Sequence, residues 1–211
     1  GSHKLPQLAP QTFIPHDVVS FNERNTVKDP SEHWLDFFVD DNQFECCWTE
    51  FERGVVGDSD EERSSWRSLD RYIPQLVRFE GVIGTDYSMF PEMLPDQRNW
   101  NCARNRVFAY RMQRHGIPCI PVASWCCEED WNWCFDGLPE ESSIAVSTNG
   151  CCRSAETRRM FRRGIDELVR QKDPYAIIVC GRSFSELEGC EANLVFYPSF
   201  SQRMKGRING R

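Results

Sequence analysis

Nowhere in these 211 residues is there an uninterrupted apolar run of about eighteen, the length a helix needs to satisfy its backbone inside a bilayer, so no membrane-spanning helix is expected. A signal-peptide pattern is missing as well, and Gly1-Ser2-His3-Lys4 has the look of a cleaved tag. Cys-x-x-Cys never occurs, although there are eleven cysteines. Three pairs are adjacent (Cys46-Cys47, Cys126-Cys127, Cys151-Cys152), and neighbouring side chains on a strand point to opposite faces, so a pair seldom reaches one metal ion. No structural zinc site is expected among the cysteines. The nearest approach to a ligand set is His115 with Cys119, followed by Cys126, Cys127 and Cys134. A chain this long buries a core without staples, which predicts reduced thiols and a cytoplasmic setting. Phosphate-binding glycine loops, a nucleophile elbow and a His-Glu-x-x-His helix are all absent, so each mechanism built on them lacks support. Internal repeats and low-complexity tracts are absent too.

Lysine is scarce: of 25 basic residues four are Lys and the rest Arg. Planar guanidinium suits bidentate contact with carboxylate or phosphate, but a GC-rich genome produces the same bias. The net charge of -7 hides an asymmetry. Residues 1–97 carry 8 basic and 19 acidic groups, whereas residues 98–211 carry 17 basic and 13 acidic groups. Any nucleic-acid or nucleotide partner is therefore expected to meet the second part.

What is present points to one α/β domain. Residues 1–33, the tag remnant followed by a polar stretch with prolines at 6, 10, 15 and 30, read as an extended arm; 34–200 form the domain and 201–211 a basic tail. Strands are expected near 44–51, 82–85, 118–125, 143–147, 176–180 and 194–197, and a charged loop at 54–65. Helices are expected at 99–115, closed by Gly116, and at 155–171, capped by Ser154 with Phe161, Ile165 and Leu168 as the buried stripe. Short, continuously apolar strands alternating with helices predict a mostly parallel sheet of about five or six strands with helices on both faces. A reduced or irregular (β/α) barrel is the alternative, since a full eightfold barrel usually needs about 250 residues.

Several landmarks have a familiar look: Val82-Ile83-Gly84-Thr85-Asp86-Tyr87-Ser88, the run 116–125, Phe135-Asp136-Gly137-Leu138-Pro139, Thr148-Asn149-Gly150-Cys151, and the run 174–181. Over roughly residues 37–181 the chain resembles the domain of unknown function 4417 family of bacteria, phages and mobile genetic elements. That family's Ser-Pro-Asp-Phe-Ser motif corresponds to 84–88, where Asp86 and Ser88 are kept and the Ser-Pro is not. The resemblance implies a phage or mobile-element context and brings no activity with it.

In open parallel sheets ligands sit beyond the carboxyl ends of the strands. There the sequence offers Asp86 and Ser88 as candidate catalytic residues, with Asp86 as general base or ligand of a divalent cation, and Trp125, Asn149, Arg182 and Ser183 as candidate ligand contacts; Ser124, Thr148, Tyr197 and Ser199 lie at neighbouring strand ends. Asp, Ser and Asn serve equally as caps and turn formers at such places. Arg104 and Arg111 on the first helix, and Arg159 and Arg163 on the second, form the candidate nucleic-acid-binding faces. Two functions stay open: an enzyme acting on a nucleotide or nucleic-acid phosphate, and a non-catalytic nucleic-acid-binding or host-interaction module.

Overall fold

The computed structural model describes residues 5–36, 72–151 and 153–209. The expected strand 44–51 and the loop 54–65 lie outside the described residues. Seven strands are described: β1 Val18–Ser20, β2 Trp34–Asp36, β3 Gly81–Ile83, β4 Cys119–Ile120, β5 Ser143–Ser147, β6 Ala176–Cys180 and β7 Leu194–Tyr197. Four α-helices are described: α1 Ile73–Leu76, α2 Pro95–Arg114, α3 Ala155–Lys172 and α4 Phe200–Asn209.

Every strand pair is parallel, giving a four-stranded sheet β1-β2-β3-β4 and a three-stranded sheet β5-β6-β7. The two are linked by a single parallel bridge, Val122 to Ala145, where Ala123 N donates to Ala145 O at 2.8 Å and Ala145 N to Pro121 O at 2.8 Å. The strands thus follow one another in chain order. Among the described residues no strand pairing joins β7 to β1, so the array is not a closed barrel.

Alternation along each strand sends side chains two ways. Val82 and Leu35 face α1 and α2, packing with Leu76, Phe108 and Met112. Ile144, Val146, Ile177 and Val179 meet Phe161, Ile165 and Leu168 of α3, the stripe expected from the sequence. The opposite faces of both sheets meet each other: Val18, Trp34, Ile83, Ile120, Ala145 and Ile178 belong to one buried cluster. Being covered on both sides is why these strands are continuously apolar.

The helices begin and end where their chemistry dictates. Ser154 Oγ accepts from Thr157 N at 3.1 Å and caps α3, which stops at Asp173 in a left-handed conformation (φ 43°) before Pro174. Gly116, at φ 71°, closes α2 as expected, whereas α2 starts four residues earlier than the sequence suggests, with Pro95 in its first turn. The basic tail forms a helix, α4, instead of an irregular extension. The arm is likewise more than a cover, since it supplies β1. Its leading part crosses the amino ends of β4 and β5: Gln11 Oε1 accepts from Cys119 N at 2.8 Å and Gln11 O from Ser143 N at 2.7 Å. That edge is covered, which leaves the carboxyl edge as the place for a site.

Candidate functional site

Two groups of polar residues form at the carboxyl edge. The first is the loop after β3. Asp86 accepts a hydrogen bond from Ser124 Oγ at 2.5 Å, joining the ends of β3 and β4. Helix α2 holds this loop from behind. Asn105 Oδ1 accepts from both Thr85 Oγ1 and Tyr87 N at 3.0 Å, and Asn101 Nδ2 donates to Ser88 O at 2.7 Å. Arg104, 9% exposed, stacks over the Tyr87 ring at 3.8 Å and donates to Asn101 Oδ1.

The second group is a cleft of about 460 Å³ between the end of β5, the end of β6 and the start of α4. Its charged lining is Arg153, Arg182 and Lys205, and its polar lining includes Thr148, Asn149, Ser199 and Gln202. Among the described residues no acidic side chain lines it, and none of the three cations has a carboxylate partner. Asn149, Arg153, Arg182 and Lys205 are exposed and Thr148 is buried. Gly181 makes the wall possible: at φ 132°, any Cβ there would fall on Thr148 Oγ1.

Helix α4 is fixed in place by its own residues. Ser199 N donates to Gln202 Oε1 at 2.8 Å, and Gln202 N to Ser199 Oγ at 3.4 Å. Arg203 reaches across the molecule to Glu23 and Asp36, each at 3.3 Å, tying α4 to the carboxyl ends of β1 and β2. Cys180, the last residue of β6, has its thiol pushed well up by burial, with the Asp36 and Asp86 charges adding to the effect.

The structure thus brings Asn149 and Arg182 into one cleft and sets Asp86 with Ser124 beside it; two strand spacings, about 10 Å, separate β3 from β5. Ser88 lends its carbonyl to Asn101, and Ser183 is exposed outside the cleft lining. Trp125 turns inward, 5.4 Å from the Phe161 ring and 5.7 Å from Phe135, lying so close over Gly164 of α3 that a Cβ there would strike its indole. Of the four helix arginines, Arg104 is buried under Tyr87, Arg111 is half-buried, Arg163 pairs with Glu128 and sits 5.6 Å over the Trp131 ring, and Arg159 is exposed.

Sequence reasoning missed Arg153 and the helical form of the tail, which it expected only to add phosphate contacts. The signal for the tail was its basic character, but only its helical form puts Gln202 and Lys205 on one site. It also missed a buried knot. Asp130 is fully buried, and its carboxylate accepts from Arg98 Nε at 3.0 Å, Cys126 N at 2.9 Å, Cys126 Sγ at 3.2 Å and Cys127 N at 3.3 Å. Cys126, Cys127 and Asp130 have ligand atoms within 4.8 Å of one another, a grouping that could hold a metal ion. Arg98 stands in that position instead, 3.0 Å from the carboxylate and 3.6 Å from Cys127 Sγ, so a metal cation would meet a guanidinium.

Fold and edge together define a parallel α/β protein with a cationic cleft at the carboxyl ends of its strands. The chain belongs to the family described as domain of unknown function (DUF4417), whose model matches residues 56–198. It is similar to the Gene 1 protein of Mycobacterium phage D29, 26% identical over 215 residues that cover 99% of this chain and 72% of the relative. The Gene 1 protein of Mycobacterium phage L5 is 26% identical over 184 residues, covering 86% of this chain and 72% of that protein. No solved structure matches.

Proposed function

We propose that this chain binds the phosphate of a nucleotide or nucleic acid in the cleft between β5, β6 and α4, with Asp86 as the neighbouring general base or ligand of a divalent cation. The observation that carries the reading is the convergence of Arg153, Arg182 and Lys205, with no acidic residue among the described lining residues. Like charges gathered at one place repel unless an anion joins them, and phosphate offers the oxygens that guanidinium and ammonium groups match. Ser201 and Gln202, in the first turn of the ten-residue α4, also line the cleft, so the positive end of the helix dipole faces the same space. The part given to Asp86 is supported by its hydrogen bond from Ser124 and by the Asn105-held loop, which fix a carboxylate at the same edge; there it would take a proton or hold a cation that bridges to a phosphate oxygen.

The rival, a nucleic-acid-binding face on α2 and α3, has less support, because Arg104 is buried and Arg163 is already paired. Calorimetric titration with pyrophosphate and ATP tests the proposal. Arg182→Gln is expected to weaken binding at least about tenfold, the loss of one charge-assisted contact, without a change in Tm. Equal affinity in the variant would refute the cleft as the site.

A further inference from the structure

We infer that the cleft recognises phosphate and leaves the base unread; its ligand class is a polyphosphate, free or carried by a nucleoside, bound alike whatever the base. This rests on the phosphate reading above and narrows it. Among the described residues, the nine that line the cleft are Thr, Asn, Gly, Arg, Ser, Gln and Lys types, with no aromatic and no aliphatic side chain. Phe200, between Ser199 and Ser201 at the start of α4, is half-buried and is not among the lining residues. Tyr197, at the end of β7, donates its hydroxyl to Pro15 O, and Phe184, two residues beyond Arg182, packs edge-on against Phe161 at 5.7 Å.

Stacking on an aromatic ring is what holds a base, contributing about ten- to a hundred-fold in affinity per base. Phosphate contacts position a ligand and carry no base identity. A site built from cations, hydroxyls and amides therefore holds the charged end, and at about 460 Å³ the cleft has room for a triphosphate.

The test is calorimetry on the full chain, in EDTA, with sodium tripolyphosphate, ATP, GTP, CTP and UTP as separate titrants, followed by competition of tripolyphosphate against ATP. The four nucleotides are expected to bind within about threefold of one another, and tripolyphosphate within about tenfold of them and in competition, because the phosphate contacts are shared. Arg182→Gln should weaken all five alike, whereas Ser183→Ala, outside the lining, should weaken none. A preference above tenfold for one base, or tripolyphosphate more than tenfold weaker than ATP, would overturn the base-blind reading and leave the phosphate site standing. Failure of all five to bind would overturn both.

Discussion

A guanidinium can hold a fold together or wait for a ligand, and burial decides which. Arg98, Arg104 and Arg106 all lie within the fold, and Arg106 donates to three backbone carbonyls, those of Val122, Cys134 and Asp136. Arg153 and Arg182 stay exposed at the cleft. Removing one partner of the buried Arg98–Asp130 pair leaves the other charge stranded, at a cost of about 3–5 kcal/mol. Asp130→Ala should therefore lower Tm by roughly 6–20 °C at about 2–4 °C per kcal/mol for a domain of this size. A calorimetric shift below a couple of degrees would mean the knot contributes little. Asp86→Asn is the contrasting case. The amide oxygen still accepts from Ser124, so Tm should stay within a few degrees, while any divalent-cation-dependent gain in ligand affinity disappears. Full retention of that gain would assign Asp86 to the scaffold. From the sequence, the places of Asp86, Asn149 and Arg182 at the carboxyl edge were legible because each follows a short apolar strand. Arg104 was misjudged because helical spacing tells which residues share a face and does not tell which face is buried.

At the level of elements, α2 and α3 show two ways a helix attaches to a sheet. Helix α3 has the apolar stripe that periodicity reveals, and its limits were legible to within one residue. Helix α2 buries Arg98, Asn101, Asn105 and Arg106 beside Phe108 and Met112, so no stripe marks its inner face. Its attachment is polar, and its function is to hold the loop that carries Asp86. Asn105→Ala removes the acceptor for Thr85 Oγ1 and Tyr87 N, both buried; the loss should be about 1–3 kcal/mol, with reduced amide-exchange protection at Tyr87. Unchanged protection there would show that the loop does not depend on α2. Gly164→Ala in α3 sets helix propensity against packing. Alanine favours the helix by up to about 1 kcal/mol, but its methyl would strike the Trp125 indole, so the outcome expected is net destabilisation of about 1–3 kcal/mol. A rise in Tm would mean the indole swings aside freely.

At the scale of the molecule the seven described strands run in chain order, one side of each sheet taking helices and the other side taking its fellow sheet. The α/β class and the parallel pairing followed from the continuously apolar strands. The strand count came out low because β1 and β2 have three residues each, too few to show a period. No helix among the described residues is long and apolar enough to cross a membrane. The eight described cysteines are free thiols, and burial raises the pKa of Cys119, Cys134 and Cys180. Iodoacetamide at mildly alkaline pH should therefore label the half-buried Cys190 in the native protein and leave Cys119 and Cys180 unlabelled until it unfolds, as peptide mass spectrometry would read. Equal labelling of all three would contradict the packing described.

The central claim is that the carboxyl edge between β5, β6 and α4 holds phosphate. Its most direct test is an amide chemical-shift map of the 24.6 kDa protein during titration with tripolyphosphate. The account requires saturable shifts centred on Asn149, Gly150, Arg182, Ser201 and Gln202, with the outer face of α3 around Arg159 unmoved. Shifts confined to that outer face, or none at all, would contradict it.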